Sequence, residues 1–423
     1  MNKILVINSP HVPSYFNAGH RLPIFQVGNY LRKNCKDTSV KCLDIAALNY
    51  TWKEIGDILF QGKFDLIAIM LDYDSADNFE RLLKYIYELS FNSKVLVYGR
   101  LCKQNPDFFK KYKISAIIRG GDDEIAILRY WKYILGQSKK LVGCSIFQDG
   151  KWMDYKEKEY LSVENWVFPD ISEIPYDKYM ELYKNDSNKF CGIPNKKELV
   201  IQVSRGCPIG CKYCDVTNMQ GCTDRRLEPN VLFDYIIENF KKYSFNYVSM
   251  YSAIFTLNDK WVKEFCSLLM QSNTEVPWKC VTTIEHLTIE LIEIMAKANC
   301  IRISIGVETL FQSADNCELP VIKRNTLEKV IRIAKKCKDS GIELNCFVML
   351  GIPGITYQEA QNTIQTLMEL GVRIRPTVYT PYYKINKSMS LQQLSDYNRQ
   401  IFENSTLPDT EKDRFYEIIF GRH

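Results

Sequence analysis

Cys207, Cys211 and Cys214 fall in the run Ser204-Arg-Gly-Cys-Pro-Ile-Gly-Cys-Lys-Tyr-Cys-Asp215, a C-x3-C-x2-C spacing with Tyr213 directly before the last thiol. Iron–sulfur cubanes and structural zinc normally take four protein ligands, so a loop offering three thiolates leaves one metal corner open to something other than protein. An open corner is where a metal centre does chemistry. Gly206 and Gly210 suit a backbone that curls around a cluster, and Pro208 stiffens it by fixing φ. The alternative is a zinc knuckle that borrows a distant His or Cys. No C-x2-C or H-x3-5-H partner pair stands elsewhere in the sequence, whose four histidines are at 11, 20, 286 and 423.

The elements that must position this loop are readable from periodicity. Apolar, β-branched runs recur at Ile4 to Ile7, Val40 to Ile45, Leu66 to Leu71, Val95 to Val97 and Ala116 to Ile118, with helical spacing across Pro23 to Leu31 and Asp77 to Tyr87. Asp77 and Asn78 are caps for the second helix. Strands alternating with helices predict an α/β fold: residues 1–137 form a Rossmann-like, doubly wound parallel sheet, with ligands beyond the carboxyl ends of its strands. Residues 138–194 break the pattern with a hairpin turn at Phe147-Gln-Asp-Gly-Lys151 and two prolines in Phe168-Pro-Asp-Ile-Ser-Glu-Ile-Pro-Tyr176, and read as a connector.

From Glu198 the alternation restarts. Strands are expected at Leu199 to Val203, Tyr247 to Met250, Lys279 to Thr283, Ile301 to Ile305, Leu344 to Met349 and Val378 to Thr380. Helices are expected at Asn230 to Phe240, Lys260 to Met270, Leu287 to Ala298, Leu327 to Asp339 and Tyr357 to Leu370. Six strands with helices between them predict a partial (β/α)6 barrel over residues 195–380, active at the carboxyl ends of its strands, where the cysteine loop already lies. Residues 381–423, including a polar helix at Leu391 to Asn404, form a short C-terminal cap.

At 423 residues the chain has room for about two to three domains. A net charge of +5 without clustered basic residues offers no nucleic-acid footprint. Fifteen cysteines, an odd number spread thinly, fit a reducing compartment rather than a disulfide framework. The opening apolar run is too short for a signal peptide or a membrane span and reads as a buried first strand, so a cytoplasmic protein with no membrane partner is expected.

The cysteine spacing, with an aromatic before the third thiol, resembles the signature of the radical S-adenosylmethionine (radical SAM) enzymes. The resemblance implies that Cys207, Cys211 and Cys214 hold a [4Fe-4S] cluster whose fourth iron is chelated by S-adenosylmethionine, and that Tyr213 packs near the adenine. In Met250-Tyr-Ser-Ala-Ile-Phe255, Ser252 is the implied contact of the methionyl amino group, and an ordinary strand-end serine is the other reading. Cys300-Ile-Arg-Ile-Ser-Ile-Gly-Val-Glu308 resembles the family's glycine-and-glutamate element, expected on the fifth strand. There Gly306 lets adenine or ribose approach, and Ser304 and Glu308 are polar groups on a buried strand. A buried carboxylate needs a partner, either Arg302 or a bound amine. Val348-Met-Leu-Gly-Ile-Pro-Gly-Ile-Thr356 resembles the sixth-strand loop, with Gly351 and Pro353 touching the adenine and Thr356 capping a helix; a plain turn explains the same residues.

The first domain resembles the cobalamin-binding domain that precedes the barrel in many radical SAM methyltransferases, on Asn8-Ser-Pro10, Phe64 to Ile69, Val95-Leu-Val-Tyr-Gly99 and Gly120-Gly-Asp-Asp-Glu124. Three departures stand out: Tyr98-Gly99-Arg100 replaces a Gly-Gly, where Tyr98 would crowd a corrin; Gly120-Gly-Asp-Asp-Glu124 stands where many of those domains carry Gly-Glu-Gly-Glu; and the axial-histidine motif is missing. The expectation is therefore a radical SAM enzyme that carries out cobalamin-dependent methyl transfer to an unactivated centre of a small metabolite or peptide. An electron donor such as flavodoxin or ferredoxin would serve it. A cobalamin-free rearrangement, dehydration or epimerisation through a 5'-deoxyadenosyl radical is the alternative. His20 is a candidate neighbour of the bound group. Tyr379, Tyr382 and Tyr383 are candidate pocket residues, and Cys191, Cys222, Cys300 and Cys346 read as packed thiols.

Overall fold

The computed structural model describes residues 2–11, 21–76, 78–183, 192–311, 319–324, 326–379, 382–396 and 409–420. Asp77, His20, Cys191 and Thr380 lie outside the described residues, as does the end of the helix expected to reach Asn404.

The amino-terminal half builds one sheet from β1 (Asn2–Asn8), β2 (Thr38–Leu43), β3 (Leu66–Met70), β4 (Lys94–Tyr98), β5 (Ala116–Ile118), β6 (Cys144–Gln148) and β7 (Lys151–Tyr155), in the order β2-β1-β3-β4-β5-β6-β7. The first five strands are parallel. Their period-two alternation is apolar on both faces: Ile4, Val6, Ala68, Met70, Leu96 and Tyr98 enter one core, whereas Leu5, Ile7, Ile67, Ile69, Val95 and Val97 enter the other. The helices that cover these faces are α1 (Leu22–Asn34), α2 (Ile45–Leu48), α3 (Trp52–Gly62), α4 (Phe79–Leu89), α5 (Arg100–Gln104) and α6 (Asp123–Ile134).

Three expectations change here. The second strand stops at Leu43, because Asp44 accepts the Ala47 amide at 3.0 Å and caps a helix beginning at Ile45. Asn78 precedes α4 without capping it, since its amide donates to Pro10 O at 2.7 Å. The hairpin expected in a connector pairs antiparallel with β5 and carries the sheet on to Tyr155, past residue 137. Ile146 packs on the sheet core, so leaving the hairpin unpaired would expose apolar surface.

After α7 (Tyr176–Tyr183) the second half forms β8 (Glu198–Gln202), a short antiparallel ladder of β9 (Ser204–Arg205) with β10 (Arg225–Arg226), and then β11 (Tyr247–Tyr251), β12 (Trp278–Thr282), β13 (Cys300–Glu308), β14 (Glu343–Leu350) and β15 (Arg373–Val378). The large sheet is open and all parallel, in the order β15-β14-β13-β12-β11-β8. The helices are α8 (Val216–Gln220), α9 (Pro229–Phe240), α10 (Asp259–Gln271), α11 (Ile289–Lys297), α12 (Leu327–Asp339) and α13 (Tyr357–Glu369), followed by α14 (Leu391–Asp396) and α15 (Asp409–Phe420). Asn258 and Thr356 cap α10 and α13, the latter in a capping box with Glu359. The glycine-and-glutamate strand is therefore the fourth of this sheet and the Gly351 turn follows the fifth. The last strand begins earlier than expected, at Arg373. It tolerates Pro376 because it is an edge, where a missing N–H breaks no ladder.

The two faces of this sheet differ in chemistry. Leu199, Ile201, Val248, Met250, Trp278, Ile303, Ile305, Leu344 and Val348 pack against the helices. The register places Tyr247, Ser249, Lys279, Arg302, Ser304, Glu343, Asn345, Arg373 and Arg375 on the opposite face. At the amino ends of the strands that face closes with ion pairs, Lys279 to Glu198 at 2.9 Å and Arg302 to Glu343. The other end opens towards the cysteine loop. Among the described residues, no helix is long and apolar enough to cross a membrane.

Candidate functional site

The β9–β10 ladder draws together the neck of the segment carrying the three cysteines. Gly206 and Gly210 take positive φ, 93° and 66°, and a Cβ at Gly206 would strike the Thr223 carbonyl oxygen, so only glycine fits there. The Cys207 amide donates to Gly221 O at 3.2 Å and the Cys214 amide to Cys211 O at 3.0 Å, so main chain rather than disulfides shapes the loop. Burial pushes the Cys211 thiol up, with the Lys323 charge opposing it. Although Cys214 as a residue is exposed, its thiol is crowded enough that burial moves it up to about 11. Ionising these thiols takes a compensating positive charge, which a bound metal provides. Among the described residues no three His, Cys, Asp or Glu side chains are grouped to hold a single metal ion. A cubane asks for a different arrangement, because each thiolate binds a separate iron. Three free thiols on one glycine-shaped loop fit that group.

Facing the loop is the carboxyl end of β13. Glu308 adopts φ 62° where the β13–β14 register shifts, which turns its side chain back over Gly306. Its carboxylate accepts from the Tyr213 hydroxyl at 3.4 Å and from Lys323 Nζ at 3.4 Å. Lys323 is thus the partner, in place of Arg302. Six residue steps along the strand separate Arg302 from Glu308, about 20 Å at the usual rise, and Arg302 serves the closed end instead. Burial, then the Glu308 charge, raises the Tyr213 phenol and keeps it a neutral donor. The Tyr213 ring is 6.2 Å from that of Tyr379, at an apolar wall of Leu319, Met349, Ile352 and Ile355.

The remaining expected residues divide. Ser252 is buried and shares a 2.8 Å hydrogen bond with Ser204, beside the cysteine loop. Ser304 lies one same-face position below Gly306 and accepts from Asn345 Nδ2 at 3.1 Å, while Asn345 Oδ1 is buried with no hydrogen-bond partner. Gly351 and Gly354 hold positive φ, 76° and 83°, around a turn in which Ile352 is buried and Pro353 is exposed. The structure therefore brings Tyr213, Gly306 and Glu308 together at the loop, bonds Ser252 to Ser204 just before it, and leaves Pro353 at the surface. The three expected pocket tyrosines separate. Tyr379 is buried, Tyr382 stacks on Tyr73 at 5.6 Å, and Tyr383 is exposed. Cys300 and Cys346 are packed as expected, whereas Cys222 is exposed. Lys323 and Asn345 carried no local signal in sequence, since their partners come from other strands and loops.

The first sheet presents its carboxyl edge to the same loop. From α5, Arg100 binds Asp215, and Lys103 Nζ reaches Met219 O at 3.4 Å. In return Arg205 binds Glu124 at 2.7 Å and Arg225 binds Asp122 at 2.7 Å. Tyr98 does not crowd this edge, because its ring is wholly buried in the sheet core with Met70 and Leu96. For a corrin, the end of β1 offers Ser9, whose hydroxyl is buried without a hydrogen-bond partner, next to His11, which contacts Arg21. These residues fit a ligand with a polar rim. The ends of β3 and β4 are taken by Tyr73, Arg100 and Tyr382.

Comparison with known proteins supplies the wider frame. Residues 201–367 match the Radical SAM superfamily. The chain is 22% identical over 359 residues to an uncharacterized methyltransferase, PH0819, of Pyrococcus horikoshii, covering 82% of this chain and 73% of that protein. The fold superposes with a TM-score of 0.70 on the radical S-adenosylmethionine methyltransferase TsrM from Kitasatospora setae, solved with cobalamin and a [4Fe-4S] cluster bound, at 14% identity over 90% of this chain and 74% of TsrM. It superposes at 0.67 on the cobalamin-dependent S-adenosylmethionine radical enzyme OxsB, solved with aqua-cobalamin and S-adenosylmethionine bound, at 17% identity over 95% of this chain. This chain spans 56% of the OxsB chain. At these identities the structural likeness establishes the shared fold.

Proposed function

Residues 201–367 are a radical SAM domain, and on that premise we propose that the protein cleaves S-adenosylmethionine reductively and methylates an unactivated centre of a small metabolite or peptide with the help of cobalamin. One observation carries the reading: the ligand-binding edge of the first sheet and the cysteine loop abut, with Arg100 and Lys103 of that edge reaching Asp215 and Met219. A group bound at the edge would then lie beside the group bound at the loop, as transfer between them requires. The similarity of 82% of this chain to an uncharacterized methyltransferase supports the same outcome.

In this reading Cys207, Cys211 and Cys214 ligate a [4Fe-4S] cluster, which when bound supplies one electron to the sulfonium of S-adenosylmethionine. Tyr213 and Glu308, held by Lys323, line the approach to the open iron and keep a hydroxyl and a carboxylate available to the nucleoside. Ser252 and Ser304 present hydroxyls to its polar groups, and the Gly306 backbone lets the ligand come close. Ser9, His11 and Arg21 would hold the rim of a corrin, which when bound supplies a methyl carrier. An external donor of the flavodoxin or ferredoxin kind would reduce the cluster. The thinly spread cysteines support a cytoplasmic setting.

Anaerobic reconstitution with iron, sulfide, S-adenosylmethionine and hydroxocobalamin tests the reading. Bound cobalt, S-adenosylhomocysteine and loss of iron in Cys211→Ala are expected. A second reading, a cobalamin-free reaction through the 5'-deoxyadenosyl radical, is favoured by Arg100 and Tyr382 filling the ends of β3 and β4. Intact reductive cleavage without cobalt uptake would replace the first reading by the second.

A further inference from the structure

Arg100 is the point at which three separate parts of the molecule meet. Its Nε donates to Asp215, the residue that follows Cys214, and its Nη2 donates to the Tyr382 hydroxyl at the start of the C-terminal segment. Its Nη1 is 3.8 Å from Asp72 Oδ1. The guanidinium carbon lies 5.0 Å from the Tyr73 ring centre and 4.5 Å from that of Tyr382, and the two rings stack on each other. Asp72 also accepts from Arg21 at 3.2 Å. Charges therefore alternate, Arg21, Asp72, Arg100, Asp215, from the first domain to the residue beside the cysteine loop. The segment this junction anchors continues along the first domain, where Asn386 O accepts from Asn105 Nδ2 at 2.6 Å and Ile385 and Leu394 enter its core.

We propose that Arg100 is a positioning residue for radical generation: it balances the Asp215 carboxylate next to the cluster and pins the C-terminal segment across the edge of the first domain. This rests on reading Cys207, Cys211 and Cys214 as cluster ligands. The physical argument is charge. A planar guanidinium serves Asp215, Asp72 and a hydroxyl at once, which an ammonium cannot match in geometry. Without it Asp215 loses the guanidinium it binds, while Asp72 keeps Arg21, and uncompensated negative charge near a cluster disfavours adding an electron.

The test measures the cluster midpoint potential and electron paramagnetic resonance spectrum of the reconstituted full chain. Arg100→Met should lower the midpoint, Asp215→Asn should raise it, and the double variant should return close to wild type. A compensating pair of this kind is not produced by loosened packing alone. Arg100→Lys should keep the midpoint near wild type. If Arg100→Met does not retain iron, Asp215→Asn decides, and an unchanged or lowered midpoint there overturns the charge role. For the second half, limited proteolysis of the iron-free chain should cut between residues 379 and 396 faster in Arg100→Met and in Tyr382→Phe. Equal rates overturn the anchoring role. A wild-type chain that takes up no cluster would instead defeat the underlying reading. Failure to methylate, with these midpoint shifts present, would count only against the methyl-transfer outcome.

Discussion

Replacing Asp122 with Ala tests whether the first domain holds the neck of the cysteine loop. Asp122 accepts from Arg225 Nη1 at 2.7 Å and Nη2 at 3.1 Å, and from the Leu161 amide at 2.9 Å, with Arg205 Nη1 at 3.3 Å. Its side chain is 3% exposed and that of Arg205 is 6% exposed. Hydrogen bonds to charged groups contribute about 1.5–3 kcal/mol each, and removing one partner of a buried pair costs about 3–5 kcal/mol. Here each arginine keeps other partners: Glu124 for Arg205, and Leu161 O and Gln220 O for Arg225. The loss should therefore be near the lower end, about 3–4 kcal/mol, read from urea unfolding. With Arg225→Met, the double variant should be less damaged than the sum of the singles by about 2 kcal/mol. Burial works to raise the Asp122 pKa, but hydrogen bonds from Arg225 and the charges of Arg205 and Arg225 outweigh it and hold the group below the usual range. A depressed native pKa means that this stabilisation is complete above the ordinary carboxylate value, about 4, and fades as pH falls through the lower native value. The gap between wild type and Asp122→Ala should thus close only in acid. A loss under about 1 kcal/mol, or strictly additive singles, would refute the clamp.

Gly306→Ala should displace the Glu308 carboxylate, because the new Cβ collides with it and comes within 3.0 Å of Lys323 Nζ. Equilibrium binding should show S-adenosylmethionine affinity falling about tenfold, on the order of 1.4 kcal/mol, with the fold intact by circular dichroism. Tyr213→Phe removes one long hydrogen bond and should weaken the same binding only about two- to fivefold, while Tyr213→Ala, which also loses ring contact with Tyr379, should weaken it more. In the hairpin, burial opposes but Ser145, Lys110 and Arg119 prevail, and Asp154 is held at about 2. Its contribution is full above about pH 4 and disappears towards pH 2, so Asp154→Asn should flatten the acid limb of the stability curve.

Much of the frame was legible because it is written in local pattern. The runs at Ile4, Leu66 and Val95 alternate between two apolar faces, and a strand buried on both sides has few other sequence solutions. Thr356 announced a helix start, because a cap bonds to neighbours in sequence; the structure adds Glu359 to it in a capping box. The hairpin at 144–155 was visible as a hairpin, but its pairing with β5 was not, since any free sheet edge could accept it. Glu308 was recognised as a buried carboxylate in need of a partner, yet of the two candidates, Arg302 and a bound amine, neither named the Lys323 that reaches it. A strand sequence does not reveal which distant lysine a loop will return to its end.

The C-x3-C-x2-C spacing, the two α/β halves and the incomplete ligand count of the loop were determined by sequence alone, because each depends on residues within one or two turns of chain. What stands around the loop was decided by tertiary structure. Arg100 meets Asp215 across 115 residues and Tyr382 across 282, and Arg205 meets Glu124 across 81. Contacts of that range follow from how two sheets dock, and docking is set by shape and charge summed over whole faces rather than by any local run of residues.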